Sequence, residues 1–107
     1  MIKKESLPEC PVATTVSLIG SKWKLLILRD LLTGTKRFGQ LKKSLPDISQ
    51  KVLTESLKSM VDDGIVERVA YPEVPPRVEY SWTDLGESMS PVISVMEQWG
   101  KEYKESI

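Results

Sequence analysis

The hydrophobic positions after residue 48 keep helical time. Leu53, Leu57, Met60 and Val61 stand at i, i+4, i+7 and i+8, the apolar stripe of a helix docked on a core. The opposite face, Gln50, Lys51, Thr54 and Lys58, holds hydrogen-bonding and cationic groups and a single acid, Glu55. Ser49 is an N-cap by type, because its hydroxyl accepts from a free N–H of the first turn. Ile48 in front of it is placed to staple onto Leu53. Upstream, Pro46 disfavours helical geometry at Leu45 and ends a shorter helix. A short helix, a turn and a longer helix with a polar, cationic face predict a helix-turn-helix over about residues 38–62.

The same patterning organises the rest of the chain. Val12, Val16 and Ile19 stripe a helix over about 11–19, with Pro11 in its first turn and Gly20-Ser21 breaking it. Residues 22–32 are apolar on most sides, which predicts a central core helix stopped at Thr33-Gly34. Thr35-Lys36-Arg37 is a connector with room for a short strand. Residues 65–71 and 77–82 are rich in β-branched and aromatic types, and Pro72, Pro75 and Pro76 stiffen the loop between them. Two strands with a rigid tip directly after a recognition-type helix make a wing over about 65–82. Thr83 or Asp84 then caps a last helix over about 84–104. Its stripe is Leu85, Met89, Val92, Ile93, Met96, Trp99 and Tyr103, and Pro91 inside it predicts a kink or a break.

This last helix lies beyond a core that already reads as complete. Val92, Met96, Trp99 and Tyr103, with Val12, Val16 and Ile19 of the first helix, are therefore expected to form a homodimer interface. The other reading folds the helix back on its own domain. The expected fold is a single domain over residues 1–107, mainly α with a small β-hairpin. It is a winged helix-turn-helix with extra N- and C-terminal dimerisation helices.

Charge changes the picture only through its distribution. The chain of 107 residues is formally neutral. Residues 21–60 nevertheless hold nine Lys/Arg against three acids, a net of +6, while residues 61–107 hold four against ten, a net of −6. A polarised chain presents a basic face to phosphate while staying neutral overall; a solvated helix surface is the plainer reading. With no histidine and one cysteine, the commonest general base and any transition-metal cage are missing, and no cofactor is expected. No glycine-rich phosphate loop or Gly-x-Ser-x-Gly elbow is present, which argues against an enzyme. A lone cysteine fits a reducing cytoplasm. No run is long and apolar enough to span a bilayer or resembles a signal peptide, so no membrane partner is expected.

Ser49, Gln50, Lys51 and Thr54 occupy the part of a recognition helix that reaches base edges in double-stranded DNA. Gln50 can pair bidentately with adenine, Lys51 can donate to guanine O6/N7, and the Thr54 methyl can touch a thymine methyl. Lys51 serves equally well as a phosphate contact, and Ser49 as a cap alone. Lys58, Arg37 and Lys42 suit backbone phosphates, with Lys36 and Lys43 beside them. Arg77, behind the proline tip, reads either as an arginine for the minor groove or as the partner of an acid such as Glu67 or Glu79. Trp23, Trp82 and Trp99 read as core rather than as a ligand cage. Cys10 stands where a helix dipole favours a thiolate, with Lys3 and Lys4 near and Glu9 opposing; a small buried hydrophobe is the alternative. The competing function is a winged-helix protein-interaction module without specific DNA binding.

Several ordered stretches resemble one family. They are Cys10-Pro11, Ile19-Gly20-Ser21-Lys22-Trp23, Leu25 to Arg29, Lys36-Arg37-Phe38-Gly39-Gln40-Leu41, and Ile48 to Thr54. Asp63 to Arg68, Tyr71 to Tyr80 and Leu85-Gly86 complete the set. Together they resemble the HxlR-type winged helix-turn-helix regulators of bacteria, relatives of the MarR group, over roughly residues 10–100. The resemblance implies a homodimeric DNA-binding transcription factor that pairs through its first and last helices on operator half-sites. It further implies that the cysteine matched by Cys10 senses electrophiles or oxidants in some members. Trp82 departs from the pattern, standing where many members carry an aliphatic residue, which bears on packing.

Overall fold

The computed structural model describes residues 4–107. After a 3-10 turn at Lys4–Ser6, the order is α1 (Pro11–Ile19), α2 (Lys22–Leu31), β1 (Lys36–Arg37), α3 (Phe38–Ser44) and α4 (Gln50–Asp62). Then come β2 (Val66–Tyr71), β3 (Arg77–Trp82), α5 (Asp84–Glu87) and α6 (Ser90–Ser106). Hydroxyl caps open three of the helices: Ser21 accepts from the Lys24 N–H, Ser49 from Val52 and Thr83 from Gly86, each at 3.1 Å. Gly64 ends α4 at φ 75°, with Ile65 N–H donating to Met60 O and Gly64 N–H to Val61 O, so the chain reverses into the hairpin. The sheet is antiparallel in the order β1-β3-β2, and the short connector strand is real: Lys36 pairs with Tyr80 and Arg37 with Glu79.

The core forms where α2, α3, α4 and the hairpin meet. Ile27 and Leu28, Leu41, Leu53, Leu57 and Met60, Ile65 and Val66 are all essentially sealed from solvent, joined by Tyr80 and by Ile93 of α6. Burying such side chains contributes about 1.5–3 kcal/mol each before entropy is counted. Ile48 and Leu53 are both buried at the entry to α4, as a staple requires. Trp23 and Trp82 lie half-buried against the core.

Three expectations are corrected. Ile19, placed at a dimer interface by its spacing, is 2% exposed and belongs to this chain's own core. Gly20 ends α1 directly after it, and the chain turns so that the last apolar residue points inward. The helix at 22–32 is not buried all round: Leu25 and Leu26 are half-covered at the edge of the core and Leu32 is exposed. Trp99 is not core, at 65% exposed.

At Pro91 the expected disruption is a break. α5 stops at Glu87, and Pro91 lies in the first turn of α6, where its missing N–H costs nothing. The short α5 packs closely on the base of the wing at Gly86, because a Cβ there would collide with Ile65 O. Leu85 consequently leaves the stripe and is exposed, while Ile93 enters the core. Among the described residues no helix is long and apolar enough to cross a membrane.

Candidate nucleic-acid interface

The α4 stripe decides what its other face offers. With Leu53, Leu57 and Met60 driven into the core, Ser49, Gln50, Lys51, Thr54 and Lys58 are all exposed. Ser49 spends one hydroxyl lone pair on the cap, which fixes the start of the helix. The Thr54 hydroxyl donates to Gln50 O at 2.8 Å, leaving the methyl as its distinctive outward group. Lys51 has one loose partner, Glu55 at 3.9 Å, with both side chains well solvated. An exposed pair of this kind is worth about 0–1 kcal/mol and yields readily to a phosphate or a guanine edge. The first turn and a half of α4 is therefore a polar, cationic surface on a rigid, capped helix.

The flanking cations are less uniform. Arg37 is exposed ahead of α3, where its backbone N–H donates to Gln40 Oε1 at 2.7 Å. Lys42 is half-buried and Lys43 exposed in the last turn of α3. Lys36 donates to Thr33 Oγ1 at 2.9 Å. Two members of the basic stretch are committed elsewhere. Lys24 donates to Ser59 Oγ at 2.9 Å, tying α2 to α4, and Arg29 pairs with Asp30 at 3.0 Å. No spacing in the sequence marks Lys24 as a brace, because Ser59 is 35 residues away.

Arg77 is not the free arginine that the proline tip implies. Its side chain is 28% exposed and lies back across the hairpin, with Nη2 3.2 Å from Glu73 Oε1 and Nε 3.8 Å from Glu79 Oε2. The guanidinium sits 4.0 Å from the Tyr71 ring centroid, the residue directly paired with it across the strands. The pairing with Glu79 was among the readings open from sequence; the one with Glu73 was missed. Its signal was two opposite charges four residues apart across a loop too proline-rich to wander.

Away from this surface, α1 and α6 carry apolar groups with no cover. Val12 and Val16 are exposed on α1, and Val92, Val95, Met96, Trp99 and Tyr103 on α6. Trp99 and Tyr103 stack with centroids 5.4 Å apart and planes within 8°. Val95, which the stripe omitted, belongs to this face. Cys10 is free and exposed at the N-cap of α1.

A helix-turn-helix with its polar helix face outward, followed by an antiparallel hairpin, defines a winged helix-turn-helix. The chain belongs to the HxlR-like helix-turn-helix family, whose model matches residues 18–107. It is 46% identical over 98 residues to the HTH-type transcriptional regulator YdeP of Bacillus subtilis, covering 92% of this chain and 77% of that one. To YkvN of the same organism it is 45% identical over 96 residues, covering 90% and 81%. The fold matches the reduced form of the redox regulator HypR with a TM-score of 0.87 and 38% identity, over 91% of this chain and 96% of that one. The reduced form of the B. subtilis transcriptional regulator YodB matches at 0.77 and 37%, over 94% and 99%. The protein is thus a regulator of the helix-turn-helix class and not an enzyme.

Proposed function

We propose that this protein is a homodimeric, sequence-specific DNA-binding regulator that lays α4 in the major groove of two operator half-sites. The exposed Gln50-Lys51-Thr54 face on a helix fixed by its Ser49 cap carries this reading. Gln50 and Lys51 address base edges, and Lys58, Arg37 and Lys42 address phosphates. The uncovered faces of α1 and α6 support pairing of two copies, which would set two recognition helices about one helical turn of DNA apart.

Replacing Lys51 by alanine removes an exposed side chain that holds nothing in the core. Operator affinity should fall by roughly 1–3 kcal/mol, with the dimer intact. An electrophoretic shift on the protein's own upstream DNA, with excess competitor and at two salt concentrations, reads this directly. Wild-type affinity should drop steeply with salt, as released counterions require. Salt-independent or absent binding would instead favour a protein-interaction module.

Cys10 is the proposed point of redox control, supported by its exposure at the N-cap of α1 and by the likeness to HypR, which is named a redox regulator. With one thiol per chain, a disulfide at Cys10 must join it to a second Cys10 or to a small thiol, and direct alkylation by an electrophile is the route that needs no second thiol. Either disulfide passes two electrons to the oxidant and releases two protons. Treatment with a thiol oxidant should weaken operator binding by the wild type and leave Cys10→Ser unaffected. Equal responses of the two proteins would return Cys10 to a structural role.

A further inference from the structure

The wing arginine arrives already occupied, and the manner of its occupation points to a function for the occupant. Glu73 sits inside the loop Pro72-Glu73-Val74-Pro75-Pro76, where three prolines remove backbone freedom. Its own N–H donates to Tyr71 O at 2.8 Å, closing a tight turn that holds the carboxylate over the end of the hairpin. From there Oε1 reaches the Arg77 guanidinium at 3.2 Å, the closer of its two carboxylate contacts. Glu79, at 3.8 Å, lies two residues along the same strand as Arg77 and is also the register partner of Arg37, so it stands beside two cations. Glu73 has Arg77 as its one ion-pair partner among the described residues. The guanidinium remains incompletely satisfied: Nε is screened from water and finds no hydrogen-bond acceptor among the described residues.

We propose that Glu73 is a built-in competitor for the wing's DNA contact: its carboxylate holds Arg77 against the hairpin, and a DNA phosphate must displace it. The inference rests on the DNA-binding reading above and adds a device that sets affinity. Carboxylate and phosphate are alternative oxyanions for one planar donor fork. Glu73 is half-exposed, so the pair it makes is strong enough to fold the arginine back and weak enough to open. Every bound complex then carries the cost of breaking this pair, which keeps the wing's contribution small and release fast.

A double-mutant cycle on operator DNA tests this, with Glu73→Gln, Arg77→Ala and the double variant titrated beside the wild type at fixed salt. Circular dichroism first confirms that each is folded. Glu73→Gln should tighten binding about two- to fivefold, the range that loss of a partly exposed ion pair allows. That gain should vanish in the Arg77→Ala background, and Arg77→Ala should cost more when Glu73 is already Gln. A gain of equal size with and without Arg77 would mean that Glu73 merely repels phosphate, and the proposal falls. No gain in either background overturns it as well, while the regulator reading survives on the wild type's own binding. A wild type that binds no DNA removes both.

Discussion

A glutamate in place of Trp99 should make the protein monomeric and all but abolish operator binding. Trp99 is 65% exposed on its own chain, so its indole supports little of the domain's core. It lies instead in the middle of the uncovered face of α6, stacked on Tyr103 and on the same helix as Val92, Val95 and Met96. A carboxylate there would have to be buried against a second apolar face, a cost that pairing through this surface does not tolerate. Each chain would then meet its half-site alone. Linking two binding modules raises avidity by about 10²–10⁴, and a loss of that order is the expected result. Light scattering coupled to gel filtration gives the oligomeric state, and the mobility shift gives the affinity. The circular dichroism of the variant should remain that of a folded, largely helical chain. A dimeric Trp99→Glu protein would mean that α6 pairs through another face or not at all.

The largest effect on stability should come from Leu53→Ala. Leu53 is 0% exposed at the point where α4 meets the core, one turn into the helix and just beyond the Ile48 staple. Removing a buried leucine to alanine loses transfer free energy and leaves a cavity, together about 2–5 kcal/mol. A domain of this size holds only about 5–15 kcal/mol in all, so the midpoint of urea denaturation should move visibly toward lower denaturant. Protein concentration must be matched between the two samples, because the proposed pairing of chains would stabilise the folded state by mass action. DNA affinity should fall with it, since the same residue holds the reading face outward. A shift worth less than about 1 kcal/mol would show that the stripe does not anchor the helix.

How far the sequence could be read depended on how local the deciding interaction was. The α4 stripe, the Ser49 cap, the proline-stiffened wing and the break at Pro91 were legible because each is settled within a few residues. A helix must bury its apolar side, a serine hydroxyl reaches only its own first turn, and a proline acts on its neighbours. Glu79 was readable as an acid partner of Arg77 beside Glu67, but the contact runs along β3 and not across the strands. Its competitor Glu73 was harder to see, since an i,i+4 charge pair is expected on helices and here closes over a loop.

The sequence by itself determined the class of protein, the order of its elements, and which side of α4 faces out. Periodicity and caps determine these because they act along the chain, over distances that the chain itself spans. Only the tertiary structure decided that Ile19 is core while Val12 and Val16 stay bare, since the turn at Gly20 sets which residues meet α2. It also decided which cations remain available: Lys24 is drawn to Ser59 and Arg77 to Glu73, while Lys51 keeps only a loose, solvated partner. Charge is a property of a residue, but its availability depends on what folding brings within about 4 Å of it.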